Sequence, residues 1–257
     1  EYYSYFQQRV VNGNAANDGP CDSAAFAGLI CTDDGTPSTT RGGGTIPDFL
    51  NGGPYSELDT QTTNTNAFGV TLQESDSRHI FGMRNHQVLG FSFDGAQTKF
   101  SGASYLGGLT ADTREYIGPG VAIDEPGDNI PVGVGITNRS YAGFFTDTLD
   151  LTKRLSLTFA GRVNAALVDL SDHNGGDLSG NHVYTRFNPS TGLTYRFADW
   201  AVLYGGYSES NRAPTPAELS GAGPENSCSL ANFFVGDPNL KQGVAHTYEA
   251  GIRGHIR

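Results

Sequence analysis

Asn211-Arg212-Ala213-Pro214-Thr215-Pro216-Ala217-Glu218-Leu219 is the stretch that decides the fold, and it follows an apolar, aromatic run that ends at Tyr207. Each proline fixes φ and removes a backbone hydrogen-bond donor, so two prolines two residues apart do not fit inside a helix or a strand. We therefore predict that a strand over 200–209 ends here and that a shaped loop begins.

Composition favours strands and turns over helices. The 257 residues include 35 glycines, 12 tyrosines and 15 phenylalanines, but only three lysines and one methionine. Aromatic residues are enriched in strands and glycine in turns. No apolar run approaches the roughly 18 residues of a membrane helix. A barrel strand needs only about ten residues to cross a membrane, because every second one meets lipid.

Eight predicted strands alternate with connections of two lengths. The strands are 1–11, 62–76, 86–106, 136–150, 154–170, 183–197, 200–209 and 244–256. The long connections are 12–60, 107–135, 171–182 and 210–243, and the short ones are 77–85, 151–153 and 198–199. Long outer loops and short periplasmic turns are typical of an outer-membrane barrel. The sequence therefore predicts an all-β chain that forms an antiparallel, partial transmembrane β-barrel of about eight strands.

Side chains alternate along several of these strands. Apolar residues take the odd positions from Leu155 to Leu167, and polar residues take even positions such as Arg162 and Asn164. Period two places the two sets on opposite faces, one suited to lipid and one to a wet lumen. We interpret the carboxylates that we assign to lumen faces as partners of arginines: Asp94, Asp147 and Glu249.

Aromatic residues gather near the predicted strand ends. This pattern fits aromatic girdles at the two membrane interfaces, and ordinary strand propensity explains it equally well. The residues are Tyr2, Tyr3, Tyr5, Phe6, Tyr141, Phe144, Phe145, Phe197, Trp200, Tyr204 and Tyr207.

An ordered series around the two prolines resembles the late barrel of TonB-dependent outer-membrane receptors. A Tyr-Gly-Gly-Tyr-Ser-Glu strand end at 204–209 precedes them, and Asp-Pro-Asn-Leu-Lys at 237–241 leads into Tyr-Glu-Ala-Gly-Ile-Arg-Gly at 248–254. Upstream, Phe-Asn-Pro at 187–189 and the hairpin over 147–155 are similar to the preceding part of the same family. The resemblance covers roughly 62–257.

The resemblance implies a transport receptor of the Gram-negative outer membrane, embedded in its lipid. The complete barrel would have about 22 strands and a plugged lumen. It would bind a small-molecule ligand, most often a ferric siderophore or another metal chelate, and take energy from the TonB complex. We expect 1–257 to be the C-terminal side of the barrel domain, without the plug, the TonB box or a signal peptide.

In this family the proline-bearing stretch is an extracellular structural loop. The resemblance therefore implies that its residues organise the loop and catalyse no reaction. The residues that match are Asn211, Arg212, Ala213, Pro214, Glu218 and Leu219.

Charge is concentrated in the predicted long loops. The net charge is −11, and the four long loops hold 17 of the 27 acidic residues but only 4 of the 16 basic ones. Nucleic-acid binding depends on basic side chains, so acidic loops disfavour that partner. Solvated loops explain the acidic residues more simply than a cation site does.

Three cysteines bear on the loops. Cys21 and Cys31 enclose nine residues in the longest loop, and an oxidising envelope favours a disulfide between them over two free thiols. Cys228 is left as an odd thiol without an assigned role.

The sequence contains no convincing catalytic, cofactor or metal site. The six histidines have no ligand spacing, and neither a nucleophile elbow nor a metal-binding helix is present. Two alternatives to a transport receptor stay open. One is a secreted or surface all-β adhesin with acidic loops, and the other is a passive, porin-like channel.

Overall fold

The structure, a computed structural model, describes residues 1–124, 131–174, 179–220 and 240–255. Within these ranges it is almost entirely β, with a 3₁₀ turn at Ala24–Phe26 and one short helix, α1 (Pro216–Ser220). The strands are β1 (Tyr2–Ala15), β2 (Gly19–Pro20), β3 (Ile30–Cys31), β4 (Tyr55–Ile80), β5 (Met83–Leu109), β6 (Tyr116–Ala122), β7 (Val132–Asp150), β8 (Leu155–Asp172), β9 (Gly180–Ala198), β10 (Ala201–Arg212) and β11 (Gly243–Gly254).

Eight long strands form one antiparallel sheet in the order β1-β4-β5-β7-β8-β9-β10-β11, and β6 pairs with the end of β5 as a ninth strand. Each long strand therefore lies beside its neighbour in the chain, as in an up-and-down barrel wall. This arrangement confirms the predicted all-β, antiparallel partial barrel. The strand β6 was not predicted, because Gly118-Pro119-Gly120 at its centre has the composition of a turn.

The strands are longer than predicted, and the turn expected at 77–85 is wrong. Pairing between β4 and β5 continues to Ile80 opposite Met83, which leaves only Phe81 and Gly82 in the turn. Both have positive φ, 51° and 78°, as in the tight two-residue turns that join antiparallel strands. The residues before the turn, from Ser75 to His79, are all polar, so no alternation of apolar and polar side chains marks them as strand.

The pairing register gives the sheet two distinct faces. On the face called here the apolar face, Phe159 and Val163 are 52% and 54% exposed, as expected for side chains that meet lipid. On the opposite, polar face, Ser92 is 7% exposed and accepts a hydrogen bond from Arg162. The alternation predicted for 155–167 is thus present in β8 of the sheet.

Two of the three carboxylates assigned to the lumen side behave differently from the prediction. Asp147 lies opposite Phe159, on the apolar face, and accepts a hydrogen bond from Asn85 near the turn end of the strands. Asp94 lies on the polar face, but its partner is the hydroxyl of Tyr2 at 2.9 Å. The arginine-partner interpretation is therefore wrong for both. Asp147 has the odd numbering of the residues on the apolar face, and Asp94 accepts its hydrogen bond from a tyrosine hydroxyl on another strand.

A row of aromatic side chains crosses the apolar face. The ring centroids of Phe68 and Phe93 are 5.7 Å apart, and those of Phe93 and Tyr141 are 4.9 Å apart. Tyr3 lies opposite Phe68 and donates its hydroxyl to Asn66 at 2.7 Å. Such amphipathic rings mark a membrane interface.

This row lies mid-strand and not at the strand ends where aromatic girdles were expected. Four of the residues assigned to the girdles lie on the polar face instead, and Phe6 is one of them by its pairing with Thr65. Tyr2 bonds Asp94, Phe144 lies under the Arg162 guanidinium, and Tyr204 lies under that of Arg253. The sequence shows which aromatic residues lie near a strand end, but the face on which each side chain lies depends on the pairing register.

Residues 16–54 fold into an ordered lobe against the outer ends of β4 and β5. We call this segment the outer lobe. Its apolar core is shared with the wall, and Leu106 of β5 is fully buried in it. The buried residues of this core are Ile30, Ile46, Tyr55, Leu106 and Ile123. A disulfide joins Cys21 to Cys31 inside the lobe.

Candidate functional site

The first candidate site is the outer end of β10 with α1, which contains the proline-bearing stretch. The strand runs to Arg212, three residues beyond its predicted end, so Asn211 and Arg212 belong to the wall. The prolines were expected to open a loop, yet Pro216 is the first residue of a short helix. A proline is favoured at that position, because its missing N–H has no intrahelical partner there and its φ is already helical.

Thr215 and Glu218 cap this helix reciprocally. The Thr215 hydroxyl accepts from the Glu218 N–H at 3.3 Å, and the Glu218 carboxylate accepts from the Thr215 N–H at 2.7 Å. This arrangement is a capping box, in which two backbone donors without helical partners are satisfied by side chains. The stretch Thr-Pro-Ala-Glu therefore encodes the start of a helix.

Glu218 also binds Arg212 through two hydrogen bonds, of 2.8 and 2.9 Å. The Arg212 guanidinium and then the Thr215 N–H stabilise the charged carboxylate, which lowers the pKa of Glu218 to about 2. The pair joins the end of the strand to the first turn of the helix. Its role is structural, since both groups satisfy each other.

Asn211 connects three parts of the wall. Its Oδ1 accepts from Asn164 at 2.9 Å and from Asn188 at 2.6 Å, and its Nδ2 donates to Gln242 at 2.9 Å. One side chain thereby ties β8, β9 and β10 to the residues just before β11. An amide has both donors and acceptors, which this position requires.

Leu219 anchors α1 to the inner side of the wall. It is 8% exposed and packs with Val134 of β7 and with Val168 and Leu170 of β8. Val168 has the even parity of the polar-face set, so the helix folds back over the lumen side of the sheet. Pro214, between the strand and the helix, is buried as well.

A polar cavity of about 460 Å³ lies on the polar face below this anchor. Arg162 lines it, lies 5.6 Å above the ring of Phe144 and donates to Ser92 at 3.2 Å. The Asn164, Asn188 and Asn211 amides form one side. Glu209 and Ser210 also line the cavity, and the Glu209 carboxylate accepts hydrogen bonds from Arg186 and from the Tyr207 hydroxyl. The cavity therefore offers hydrogen-bonding groups to water or solute.

A second cavity, of about 430 Å³, opens between the outer lobe and the wall. We call it the lobe pocket. Its lining is mainly apolar, with backbone of several glycines in between. The residues are Phe49, Leu50, Gly53, Pro54, Gly107, Gly108, Leu109, Ile117, Gly118, Pro119, Gly120 and Val121. The sequence alone does not predict this pocket, because it depends on how 49–54 pack against β5 and β6.

Among the described residues, no three histidine, cysteine or acidic side chains are placed to hold an ion. In the same part of the chain, no helix is both long and apolar enough to cross a membrane. Cys228 and the Asp-Pro-Asn part of the later motif lie outside the described residues.

Comparison with known proteins identifies the family to which the chain belongs. No curated protein matches the sequence significantly. A chain in the solved structure of the FpvAI–pyocin S2 complex is 15% identical with a TM-score of 0.47, and the match covers 99% of this chain and 28% of that chain. The chain thus spans less than a third of that protein. The family model described as TonB dependent receptor-like, beta-barrel matches residues 2–256. The chain therefore belongs to the TonB-dependent receptor β-barrel family.

Proposed function

We propose that this chain forms part of the barrel wall and the outer loops of an active-transport receptor in a Gram-negative outer membrane, energised through TonB. The match of the receptor-barrel family over 2–256 is the observation that carries this proposal. The sheet supports it, because one face carries an aromatic row for lipid and the other carries polar groups for a wet lumen.

In this proposal the chain contributes part of the pathway that the ligand follows through the barrel and part of its outer entrance. Arg162 and the asparagine amides of the polar cavity line the route along the wall. Above them, the Arg212–Glu218 pair and Leu219 hold residues 213–220 against the lumen side of the sheet. A plug and a TonB-binding segment are separate parts of the complete receptor in this proposal.

The proposed ligand is a scarce nutrient in the form of a small metal chelate, such as a ferric siderophore. The acidic outer segments repel strongly anionic molecules. We therefore expect neutral or cationic chelates to be taken up in preference to anionic ones of similar size.

Uptake by the full-length receptor that contains this chain tests the proposal. A strain without other iron receptors is supplied with radioactive ferric chelates, in the presence and absence of TonB. Saturable uptake that requires TonB is the expected result. Uptake that persists without TonB would show a passive channel, and a full-length protein that is soluble without detergent would show an adhesin. Preferred uptake of the most anionic chelate would contradict the charge argument alone.

A further inference from the structure

The lobe pocket has a size and a lining that suit a small apolar group. At about 430 Å³ it falls in the range of small-molecule sites, which are roughly 300–1,000 Å³ and mostly apolar. Phe49, Leu50 and Ile117 line it and keep 39%, 37% and 52% of their surface exposed. Apolar side chains that stay accessible inside a cavity gain free energy when a hydrocarbon group displaces water from them.

The pocket is pre-formed by hydrogen bonds beneath it. Tyr55 donates its hydroxyl to Asp48 at 2.6 Å and accepts from the Leu50 N–H at 3.0 Å, and its ring stands edge-on to Phe49 at 5.1 Å. Burial, followed by Asp48, raises the pKa of Tyr55 to about 12, so the hydroxyl remains a donor at neutral pH. Phe49 and Leu50 are therefore fixed before a ligand arrives.

The opposite wall is backbone, because larger residues do not fit there. A Cβ atom on Gly107 would lie 2.5 Å from the Tyr116 ring, and one on Gly120 would lie 1.9 Å from its hydroxyl. That hydroxyl is buried and has no hydrogen-bond partner among the described residues. The ring of Tyr116 packs closely on these glycines and holds the backbone that forms this wall, and Tyr116 itself is not part of the pocket lining.

Membrane lipid is excluded as the occupant by distance. Gly107 lies 14 residues beyond Phe93 of the aromatic row, which is roughly 45 Å along a strand at about 3.3 Å per residue. Between them the apolar face carries Gln97 and Lys99 and no longer suits lipid. The pocket therefore opens to water outside the bilayer.

A macromolecular partner is excluded by size and direction. Specific protein interfaces cover about 800 Å² per partner, far more than one cavity of this volume offers. Gly108 has the parity of Leu106, which faces the outer lobe and the lumen side of the sheet. The occupant is thus a small molecule that passes along the lumen side.

We propose that the lobe pocket binds a hydrocarbon arm, such as an acyl chain, of the ligand that the receptor imports. The transported molecule is then amphiphilic, with a polar head for the polar face and an apolar arm for the lobe. This inference rests on the proposed function for the identity of the occupant, but binding at the pocket is measurable without transport.

Photo-crosslinking of the full-length receptor in lipid nanodiscs tests the proposal. The probes are a ferric trihydroxamate that carries a diazirine-labelled octanoyl arm and the same complex with a diazirine-labelled acetyl arm. We expect saturable labelling of peptides that contain Leu50 or Ile117 by the octanoyl probe, and about tenfold less by the acetyl probe, because apolar burial scales with chain length. Labelling that is equal for the two probes, or absent from these peptides, would overturn the proposal.

A substitution that fills the pocket gives a second test, with a matched control elsewhere on the sheet. A Cβ on Gly108 meets Leu50 at 3.5 Å and Ile117 at 3.7 Å, which is ordinary contact, so Gly108→Val occupies the pocket without a clash at Cβ. Gly143→Val makes the same change on the apolar face, where nothing lies within 4 Å. We expect Gly108→Val to lower octanoyl labelling about tenfold and Gly143→Val to leave it unchanged. Leu50→Gln, in the lobe, should also lower it if Gly108→Val does not fold.

The two proposals fail separately. Lobe labelling that is lost in Gly108→Val, together with uptake that does not need TonB, would retain the pocket and reject the transport mechanism. TonB-dependent uptake with no octanoyl labelling at the lobe would retain the transport function and reject the pocket.

Discussion

Arg212 and Glu218 form a two-point ion pair, with Nη1–Oε2 and Nη2–Oε1 distances of 2.9 and 2.8 Å, that joins the end of β10 to α1 across the stretch that contains both prolines. The same carboxylate accepts the Thr215 N–H, so the pair and the helix cap are one unit. Because bidentate Arg–carboxylate geometry fixes direction as well as distance, the helix has one orientation relative to the strand. This unit holds Leu219 over the lumen side of β7 and β8.

Replacing Thr215 by alanine tests the cap. The change removes the acceptor for the Glu218 N–H, and we expect the first turn of α1 to be destabilised by about 1 kcal/mol, which is typical for loss of an N-cap. Hydrogen exchange of 213–220 in the full-length receptor should accelerate about fivefold, as a free-energy change of this size implies. Thr71→Ala, the same change in the middle of β4, should leave this segment unaffected. An unchanged exchange rate in Thr215→Ala would show that the cap does not hold the helix.

Acid should loosen the same segment. The pKa of Glu218 is lowered to about 2 by Arg212 and Thr215. Its stabilising contribution is therefore fully present above the unfolded value near 4.5 and is lost as the pH falls towards 2. The pair is exposed, so we expect the contribution to be small and reduced by salt.

Glu218→Gln provides the comparison for this pH effect. At each pH from 6 to 2, exchange of 213–220 is measured for the natural chain and for the variant, which cancels the intrinsic pH dependence of exchange. The two should differ at pH 6 and converge near pH 2. A constant difference over the whole range would show that the charge of Glu218 is irrelevant to the segment.

The proline-bearing stretch shows what the sequence predicts well and where the prediction fails. Its residues were identified as loop organisers, and the structure places Arg212 and Glu218 in one hydrogen-bonded unit. The helix was missed because two prolines were taken as a break, although Thr-Pro-Ala-Glu is readable as a cap with proline at the first helical position. Recognising that Leu219 packs on β8 requires the fold, since the contact spans about fifty residues of sequence.

The eight long strands of the wall followed from alternation and loop length, whereas their ends did not. The side-chain period of two is strong inside the lipid layer, and it fades where β4 and β5 extend past the aromatic row into water. The strand β6 and the outer lobe were hidden for a related reason. Ile30, Ile46 and Ile123 are isolated apolar residues in polar, glycine-rich sequence, and only their packing makes a core.

Truncating Leu219 should release α1 from the wall without unfolding the sheet. Leu219 is nearly buried against Val134, Val168 and Leu170, and Leu→Ala at such sites costs about 2–5 kcal/mol. We expect Leu219→Ala to make 213–220 accessible to added protease while the barrel keeps its folded mobility on unheated gels. Leu72→Ala, on the apolar face with a 66% exposed side chain, is the matched control. Protection of the segment in Leu219→Ala would place the anchor elsewhere.

A rise in pH should loosen the outer lobe, whereas a fall in pH loosens the α1 segment. Glu57 lies 11 residues beyond Phe68 of the aromatic row, and thus outside the membrane-spanning part of β4. Burial, followed by the neighbouring Asp59 and then Asp18 of the lobe, raises the pKa of Glu57 to about 7. The free energy that favours the docked lobe is therefore fully present below the unfolded value near 4.5 and is lost as the pH rises through 7.

Glu57→Gln tests this lobe contact. We expect the amides of Ile30 and Ile46 to exchange faster at pH 8 than at pH 5 in the natural chain, after correction for intrinsic rates, and this difference to shrink in the variant because glutamine stays neutral. Glu74→Gln, on the turn-side part of β4, is the control and should retain the full difference. The same pH dependence in all three proteins would contradict the role of Glu57. A general effect of pH on the barrel would change hydrogen exchange in the lobe and in α1 in the same direction. Opposite changes therefore assign the two effects to Glu57 and Glu218 and not to the rest of the acidic surface.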